Sequence, residues 1–325
     1  MAFSADQLLE KVNTYLATMP YVREPKGLYA PIEYVLSLGG KRIRPVLVLL
    51  SYQLYKENVD DILPQAAGIE TYHNYTLLHD DLMDCADMRR NKPTVHKVWD
   101  ENTAILSGDA MLVLAYRLMN NCPERYLKQV MDIFSQTALE ICEGQQWDME
   151  FETRNDVTVP EYMEMIRLKT SVLLSAALKI GAVLGGGSED DARKLYDFGI
   201  KMGLAFQLQD DYLDVYGDSK VFGKNIGGDI LCNKKTFMLI NALALADGIQ
   251  RKELEKWIAS TAFCPEEKIK AVTALYDKIG IGGICEEKIN AYYVEGLSLL
   301  ESMAVPSERK EELKSFVCHL MNRKV

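Results

Sequence analysis

Residues 65–84 read "QAAGIETYHNYTLLHDDLMD". The apolar residues of this stretch return every three or four positions, which is the period of an α-helix. His73, Thr76, Asp80 and Asp84 form a polar stripe, because residues three and four apart are neighbours on a helix. The stretch therefore predicts a long helix that ends in a cluster of aspartates with the pattern DDxxD.

The same helical period runs through most of the 325 residues, and strand signals are nearly absent. Short Gly- or Pro-containing turns separate the helical segments, and no linker marks a domain boundary. We therefore predict an all-α fold, one large helical bundle that forms a single domain over residues 1–325. The predicted helices cover residues 28–38, 44–55, 65–83, 103–120, 126–151, 160–184, 190–216, 235–246, 249–262, 266–279 and 284–303.

One connection, residues 217–235, is long, rich in Gly, Lys and Asp, and lacks helical periodicity. Long irregular connections inside compact domains are often functional lids. We expect this segment to take part in the functional site, with a plain surface loop as the alternative.

A second acidic motif, "DDYLD", occupies residues 210–214 at the end of another helical segment. Clustered carboxylates repel one another, and the negative end of the helix dipole adds to this repulsion. Carboxylates are hard ligands suited to Mg²⁺ or Mn²⁺, and neither motif has the DxDxDG pattern of a calcium loop. One motif alone would often be a solvated acidic face, but two complete copies favour metal binding. The candidate ligands are Asp80, Asp81, Asp84, Asp210, Asp211 and Asp214.

Basic residues gather near both acidic motifs, although the net charge of the chain is −10. In "GGKRIRP", residues 39–45, cations follow a Gly-Gly turn and precede an apolar helix, which is typical of an anion site. Arg89 and Arg90 add guanidinium groups that bind phosphate with two parallel hydrogen bonds. The pattern indicates Mg²⁺ that bridges carboxylates to a diphosphate, with cations on the same or a second diphosphate. The irregular connection adds Lys220, Lys224, Lys234 and Lys235.

The overall composition limits the class of partner. With 48% hydrophobic residues, 26% charged residues and an acidic balance, the chain is globular and we expect no nucleic-acid binding. Seven cysteines without a CxxC pair indicate free thiols in a reducing compartment. The most apolar stretch, residues 171–187, contains Lys179 and ends in three glycines, so it looks too short and interrupted to span a bilayer. We expect a cytoplasmic protein without stable membrane insertion.

Seven motifs, in this order, resemble those of the trans-isoprenyl (polyprenyl) diphosphate synthases, the family of the farnesyl and geranylgeranyl diphosphate synthases. They span residues 39–236, and the paired aspartate motifs with their basic residues are the specific part. The resemblance implies an isoprenoid-synthase fold with a central active-site cavity, usually in a homodimer. The motifs are "GGKRIRP", "HNYTLLHDDLMDCADMRR", "EGQQWD", "RLKT", "FQLQDDYLDVYGD", "KVFGKNIGGDI" and "NKKT".

The resemblance also implies a reaction, the Mg²⁺-dependent head-to-tail (1′-4) condensation of isopentenyl diphosphate with an allylic diphosphate. The product would be a short-chain all-trans prenyl diphosphate, and about three Mg²⁺ ions would take part, with Mn²⁺ as an alternative. In the second motif Asp210 corresponds to the direct ligand, and its neighbours lie partly outside the coordination shell. The released diphosphate would accept the proton, so no protein base is needed.

The substrate positions follow from the resemblance residue by residue. The allylic diphosphate would be held by Arg89, Lys169, Lys224 and Lys234, and isopentenyl diphosphate by Lys41, Arg44, His73 and Arg90. Residues near the developing cation, the catalytic group, would be Lys169, Thr170 and Gln207. Secondary site positions are Gln145, Asp148 and Asp229. Asn91 departs from the family, which usually has Gly after the two arginines.

The family resemblance also bears on the length of the prenyl chain in the product. Family residues about one turn before the first motif face the tunnel for the growing chain, and here they are Tyr75 and Thr76. Tyr75 lies roughly 7 Å back along the helix from Asp80, where a bulky ring would block long chains. We expect a short-chain product, with geranylgeranyl diphosphate slightly favoured over farnesyl diphosphate. His79 lies off the polar stripe, and we expect it to be structural.

Three other functions are consistent with parts of the pattern. A class I terpene cyclase shares metal-triggered ionisation and an all-α fold, but it does not need the second diphosphate site. A non-catalytic prenyl synthase subunit would usually lose its acidic motifs, and both are intact here. A structural helical bundle would leave the neighbouring cations unexplained.

Overall fold

The structure, a computed structural model, describes residues 3–21, 23–217 and 226–321. The described chain is built almost entirely from helices, which confirms the predicted all-α class. Its strands are β1 (Met88–Arg89) and β2 (Lys92–Pro93), which form one antiparallel hairpin. The α-helices are α1 Ala5–Thr18, α2 Lys26–Ser37, α3 Ile43–Gln53, α4 Leu63–Met83, α5 Val95–Val98, α6 Glu101–Asn120, α7 Glu124–Thr153, α8 Val159–Ile166, α9 Val172–Gly185, α10 Glu189–Tyr216, α11 Gly228–Leu231, α12 Phe237–Leu245, α13 Gly248–Ala259, α14 Pro265–Ile279, α15 Ile281–Glu301 and α16 Ser307–Met321.

The observed helices match the predicted ones closely, with three differences. The predicted helix 160–184 is divided by a π-helical turn, Arg167–Ser171, between α8 and α9. Helices α1, α5 and α16 fall outside the predicted set. Within the irregular connection, Gly228–Leu231 forms α11, and residues 218–225 lie outside the described residues.

The chain forms two compact units, and each is assembled from three separate segments. Unit 1 comprises residues 1–136, 176–196 and 303–313, and unit 2 comprises residues 137–175, 197–302 and 314–325. The prediction of one domain over the whole chain stays a prediction.

Unit 1 is organised around α4, which packs against α3 and α6. The first half of α4, from Gln65 to Tyr72, is buried throughout, because α4 is covered on several sides. The buried polar groups of this unit are paired: the Arg42 Nη1 donates to the Glu70 Oε1 at 2.7 Å, and both side chains are nearly inaccessible. At the ends of the unit, the Ala5 amide donates to the Glu312 carboxylate at 2.7 Å.

Unit 2 has its own apolar core, to which Tyr162, Leu208, Met238 and Ile281 contribute. The start of α8 is fixed by a capping box, in which Thr158 and Glu161 exchange side-chain to backbone hydrogen bonds. This cap determines where the first turn of α8 begins and therefore where Tyr162 enters the core.

The continuous helical stretch 159–185, which contains the π-helical turn, is long and apolar enough to span a bilayer by composition alone. The expectation that the apolar segment is too short was therefore wrong, because the helix extends further towards the N-terminus than residue 171. However, 83% of its most apolar window is buried inside the protein, as in the core helix of a water-soluble protein.

Candidate functional site

The first acidic motif lies at the C-terminal end of α4, in unit 1. Asp80 and Asp81 belong to the last turn, and Asp84 follows the helix as its C-cap, with its amide donating to the Asp80 carbonyl at 2.9 Å. The three carboxylates differ in exposure: Asp81 is buried, Asp80 is half-buried and Asp84 is exposed. Two of the three aspartates thus remain accessible to a ligand.

Arg89 holds the inner part of this motif. Its Nε donates to both carboxylate oxygens of Asp81 at 2.7 and 2.8 Å, and its Nη2 lies 3.8 Å from the Asp80 Oδ2. Burial raises the pKa of Asp81, while the charge and hydrogen bonds of Arg89 act in the opposite direction. Arg89 therefore offsets the repulsion that the sequence predicted between these carboxylates.

Arg89 and Arg90 contact different partners because a tight hairpin turn begins between them. Arg90 and Asn91 form the two-residue connection of the β1–β2 hairpin, and both have positive φ, 52° and 60°. Asparagine tolerates this left-handed conformation better than most residues, so Asn91 can take the place of the usual glycine. The turn sends Arg90 away from Asp81, and its guanidinium donates to the Gly39 carbonyl and, at 3.4 Å, to the Asn74 amide oxygen.

A basic cluster forms where α3 and α4 approach this hairpin. The Arg44 Nη1 lies 3.1 Å from the His73 Nε2, and Arg90 lies close enough to affect both groups. Burial, followed by the field of Arg44 and the neighbouring arginines, holds the pKa of His73 well below its usual value, so the ring is neutral. The neutral ring can accept the Arg44 hydrogen bond at Nε2, which assigns its proton to Nδ1.

Arg44 has the properties of an anion-binding residue. Burial lowers its pKa to about 10, with Arg90 adding to this effect and Glu70 opposing it. Its Nε is buried and finds no hydrogen-bond acceptor among the described residues. A buried donor without a partner is costly, and a diphosphate oxygen would satisfy it.

Not every cation of the "GGKRIRP" segment belongs to this cluster. Arg42 has φ of 47° and turns into the core, where it pairs with Glu70 and donates to the Leu36 carbonyl at 2.6 Å. Lys41 is exposed. The interpretation of Lys41, Arg42 and Arg44 as one anion site was therefore wrong for Arg42, which is a structural ion pair.

The second acidic motif lies near the C-terminal end of α10, in unit 2. Asp210 and Asp214 are half-buried, whereas Asp211 is buried. The Tyr162 hydroxyl donates to the Asp211 Oδ2, and the Gln207 Nε2 donates to the Oδ1 at 3.2 Å. Burial raises the pKa of Asp211 to about 7, although the Tyr162 hydrogen bond opposes the shift. Asp211 is thus engaged inside the protein, and the outward-facing members of the motif are Asp210 and Asp214.

The predicted catalytic residues lie beside this motif because of the π-helical turn. The turn carries Lys169 and Thr170, and the Thr170 hydroxyl donates to the Gln207 amide oxygen at 3.1 Å. Lys169 pairs with Asp148 at 2.6 Å. A Cβ on Gly144 would lie 2.5 Å from the Lys169 amide nitrogen, so only glycine lets α7 approach the turn this closely. One-turn π-helices inside longer helices often occur at functional sites.

The segment after α10 folds back onto the second motif. The Asp229 amide donates to the Asp214 Oδ2 at 3.0 Å, and the Lys234 amide donates to the Asp229 carbonyl at 2.9 Å. Lys234 is exposed and affects the pKa of Asp211. Gln145 is half-buried on α7, and the predicted ligand Lys224 lies outside the described residues, as does Lys220.

Tyr75 belongs to the stripe of α4 that faces α6. Its ring lies 5.4 Å from Tyr72 and 4.9 Å from the His79 ring, and His79 bonds to the Ile105 carbonyl at 3.1 Å. Thr76 is half-buried, and its hydroxyl donates to the His73 carbonyl at 2.8 Å. The imidazole of His79 also fills the space over Gly108, which agrees with a structural role.

The donor atoms fit Mg²⁺ in type. Among the described residues, no three His, Cys, Asp or Glu side chains gather closely enough to enclose a metal ion. Mg²⁺ commonly takes only one or two protein carboxylates and completes its shell with water and phosphate oxygens. Asp80, Asp84, Asp210 and Asp214 can act as such ligands, since each is half-buried or exposed.

Sequence reasoning did not select Tyr162, Glu70 and Asn74 as residues of these sites. Glu70 continues the polar stripe of α4 by one further turn towards the N-terminus, and Asn74 lies one turn after Glu70, beside His73, so a longer and wider stripe would have included them. Tyr162 lies seven residues before Lys169, and its partner Asp211 is 49 residues away. No local pattern in the sequence connects these two residues.

Comparison with known proteins places these features in a family. Residues 25–276 match the family model described as polyprenyl synthetase. A geranylgeranyl diphosphate synthase of Methanosarcina mazei is 46% identical over 68% of this chain and 69% of its own length. A geranylfarnesyl diphosphate synthase of Natronomonas pharaonis is 38% identical over 72% of this chain and 74% of its own length.

Solved structures agree with this assignment. A crystal structure of a geranylgeranyl pyrophosphate synthase matches 99% of this chain and 98% of its own chain, with 44% identity and a TM-score of 0.92. The Corynebacterium glutamicum geranylgeranyl pyrophosphate synthase, which was crystallised with isoprenyl diphosphate and magnesium, matches 99% of this chain and 100% of its own chain. Its identity is 26% and its TM-score is 0.88. The family-model match, these relatives and the all-α structure together show that this chain belongs to the polyprenyl synthetase family.

Proposed function

We propose that the protein catalyses the 1′-4 condensation of isopentenyl diphosphate with an allylic diphosphate to give a short-chain all-trans prenyl diphosphate. The observation that carries this proposal is that each acidic motif has basic groups beside it in its own unit. In unit 1, Arg89 binds the first motif, and the Arg44 cluster lies nearby. In unit 2, Lys169 lies on the π-helical turn that bonds to the second motif through Thr170 and Gln207.

The two diphosphates would be bound by different sets of residues. The half-buried Arg44, with neutral His73 and with Arg90, suits isopentenyl diphosphate, because its buried Nε, which has no acceptor among the described residues, can donate to a phosphate oxygen. We assign Lys41 to the same substrate. For the allylic diphosphate we propose Arg89, Lys169, Lys224 and Lys234. In this arrangement isopentenyl diphosphate needs no metal ion.

Mg²⁺ would be held by Asp80 and Asp84 of the first motif and by Asp210 of the second, with Asp214 close by and Asp81 and Asp211 supporting them. When bound, it neutralises the allylic diphosphate and so assists departure of that group. The relative crystallised with magnesium and isoprenyl diphosphate supports Mg²⁺ as the metal. We propose about three ions, with Mn²⁺ as a substitute.

The reaction breaks the bond between C1 of the allylic substrate and its diphosphate oxygen. The resulting allylic cation would be stabilised by the dipoles of the Thr170 hydroxyl, the Gln207 amide and the Lys169 carbonyl. The double bond of isopentenyl diphosphate then forms a bond from its C4 to this carbon. A proton leaves C2, and the released diphosphate accepts it. Gln145, Asp148 and Asp229 would support these groups, as the Lys169–Asp148 ion pair suggests.

We propose geranylgeranyl diphosphate as the main product, ahead of farnesyl diphosphate. The bulky Tyr75, with the small Thr76 beside it, supports a short product, and the relatives include geranylgeranyl and geranylfarnesyl synthases. If Tyr75 ends the tunnel, a Tyr75→Ala variant will make longer products. An unchanged product length would rule out Tyr75 as the end of the tunnel.

We further propose a cytoplasmic homodimer. All seven cysteines lie in the described part of the chain and are free thiols, as expected in a reducing compartment. On α6, Ile105, Leu106 and Val113 are 46%, 60% and 60% exposed. Apolar side chains gathered on one face of a helix commonly mark a contact with another protein, and a second copy of this chain is the partner we propose.

One experiment tests the reaction. The protein is incubated with Mg²⁺, radiolabelled isopentenyl diphosphate and dimethylallyl, geranyl or farnesyl diphosphate in turn, and the products are sized after dephosphorylation. We expect linear products, and no turnover after Mg²⁺ is removed with EDTA. In Asp80→Asn and in Asp210→Asn, kcat should fall at least a hundredfold, which corresponds to about 3 kcal/mol in the activation barrier. Asp132→Asn, which alters an exposed aspartate paired with Lys128, should keep full activity.

The same assay separates the alternatives. Cyclised hydrocarbons from a single diphosphate would identify a terpene cyclase and contradict the proposal. Absence of turnover with every primer would favour a non-catalytic subunit.

A further inference from the structure

A chain of hydrogen bonds links the first turn of α8 to the predicted catalytic residues of unit 2. The Tyr162 hydroxyl donates to the Asp211 Oδ2, the Gln207 Nε2 donates to the Asp211 Oδ1, and the Thr170 hydroxyl donates to the Gln207 Oε1. Tyr162 and Asp211 are only 1% and 4% exposed, so water does not compete for the bond between them. Both carboxylate oxygens of Asp211 are therefore engaged by protein donors.

These three hydrogen bonds determine which way the Gln207 amide faces. When Asp211 is ionised, its carboxylate only accepts hydrogen bonds, so the NH₂ group of Gln207 faces it and donates to Oδ1. The amide oxygen must then face Thr170, where a hydroxyl can donate to it. The orientation of the amide dipole depends in turn on where Asp211 lies, and the Tyr162 hydroxyl holds the second oxygen of Asp211.

The ring of Tyr162 is itself fixed independently of these bonds. It packs in the apolar core with Leu204 and Leu208 of α10. The capping box of Thr158 and Glu161 sets the start of α8, and Arg154 pairs with Glu161 at 2.9 Å. Removing only the hydroxyl should therefore leave the ring and the helix in place.

We propose that Tyr162 is a positioning residue: through Asp211 it holds the Gln207 amide with its oxygen directed towards Thr170 and its NH₂ group directed away from the reacting carbon. The inference rests on the proposed function, in which Gln207 and Thr170 stabilise an allylic cation. The negative end of the amide dipole favours a nearby cation, and the NH₂ end disfavours it. A flipped amide would leave substrate binding intact but would raise the barrier to ionisation.

The test is Tyr162→Phe in the full-length enzyme, with steady-state kinetics for both substrates. We expect kcat to fall about ten- to a hundredfold, while both KM values change less than about threefold. A purely structural role would lower the thermal midpoint and leave kcat of the folded fraction unchanged, and that result would overturn the proposal. The matched control is Tyr52→Phe, which removes another buried hydroxyl, close to Asp61, outside the proposed machinery.

A double-mutant cycle tests the route through Asp211. If Tyr162 acts by holding Asp211, adding Tyr162→Phe to Asp211→Asn should cost less than about a threefold further loss in kcat. A full multiplicative loss in the double variant would mean that Tyr162 acts by another route, against the proposal.

A readout independent of turnover keeps this proposal separate from the proposed function. In protein labelled with ¹⁵N-glutamine, the side-chain amide resonance of Gln207 can be assigned through Gln207→Glu. We expect Tyr162→Phe to shift or broaden this resonance, whereas Tyr52→Phe should leave it in place. An unchanged Gln207 resonance would refute the positioning role even if the enzyme is active. If the resonance shifts but the wild-type protein makes no prenyl product, only the proposed condensation activity is refuted.

Discussion

At the scale of single residues, Arg44 shows how a binding site can be recognised before any ligand is present. Its guanidinium lies beside a neutral histidine, and its buried Nε–H has no acceptor among the described residues. A residue that served only stability would have satisfied this donor, as Arg42 does with Glu70 only two positions earlier. The two arginines look alike in the sequence and serve different purposes in the structure.

We predict that Arg44→Lys weakens isopentenyl diphosphate binding. Lysine keeps the charge but has a single ammonium, so it cannot bond to His73 and to a phosphate oxygen with the same forked geometry. The KM for isopentenyl diphosphate should rise about ten- to a hundredfold, with a smaller change in the KM for the allylic substrate. Arg193→Lys, at an exposed arginine of the same unit, is the control and should leave both KM values unchanged.

His73 should make stability depend on pH in a defined direction. Its pKa is well below 6.5 in the folded protein, whereas the unfolded chain binds the proton near pH 6.5. Below that pH the unfolded state binds more protons, so the free energy of unfolding falls as pH decreases, by up to roughly 1.4 kcal/mol per pH unit.

Urea titrations of wild-type protein and His73→Gln between about pH 5 and pH 8 measure this contribution. The variant should lose the part of the slope that lies below pH 6.5 and keep the slope above pH 7. Asp211, whose pKa is raised to about 7, contributes with the opposite sign between its unfolded value of 3.8 and pH 7, but equally in both proteins. Parallel curves over the whole range would show that His73 titrates normally.

At the scale of secondary structure, the sequence indicated most helices correctly, because apolar residues repeat at the helical period along them. It could not indicate the π-helical turn Arg167–Ser171, since one extra residue per turn leaves the apolar pattern nearly unchanged over so short a segment. The β1–β2 hairpin was also not predicted, because its strands have only two residues each. Both elements carry predicted substrate ligands, so the least predictable local structures lie at the functional positions.

Gly144 tests the importance of the π-helical turn. In Gly144→Ala the new methyl group would lie 2.5 Å from the Lys169 amide nitrogen, so the backbone of the turn must move. We expect a loss of about 1–3 kcal/mol in the free energy of unfolding and at least a tenfold loss of kcat, because Lys169 and Thr170 are displaced.

Gly283→Ala in α15 is the matched control, since a Cβ there would meet no atom within 4 Å. Alanine at this helical position should add roughly 0.5–1 kcal/mol of stability and leave kcat unchanged. Equal behaviour of the two variants would mean that the close approach of α7 to the turn does not matter.

At the scale of the whole molecule, the helical period and the near absence of strand signals were enough to predict the all-α class, and the paired motifs were enough to predict the family. The division into two units of three segments each could not be predicted, because contacts between residues far apart in the sequence determine it. The sites show the same limit: the sequence located the motifs, but not the Tyr162–Asp211 bond or the separate role of Arg42.

Oligomeric state provides the prediction at this scale. If the exposed apolar face of α6 joins two copies of the chain, the double variant Leu106→Glu/Val113→Glu should be monomeric in size-exclusion chromatography with light scattering, because four carboxylates would meet across the interface. Ile249→Glu is the control, since this isoleucine is 80% exposed on α13 and should not affect the dimer. A dimer that survives the double variant would mean that another surface joins the copies.

The interleaved segments of unit 1 also have a consequence for how the protein is made. Residues 303–313 complete this unit, and the Ala5 amide of α1 donates to the Glu312 carboxylate of α16. This contact can form only after residue 312 has been synthesised. At a translation rate of about 5–20 residues per second, the N-terminal helices emerge from the ribosome tens of seconds before residue 313. During that interval the nascent chain exposes apolar surface that it cannot yet bury. This enzyme should therefore depend on chaperones during its synthesis more than a protein whose units are continuous in sequence.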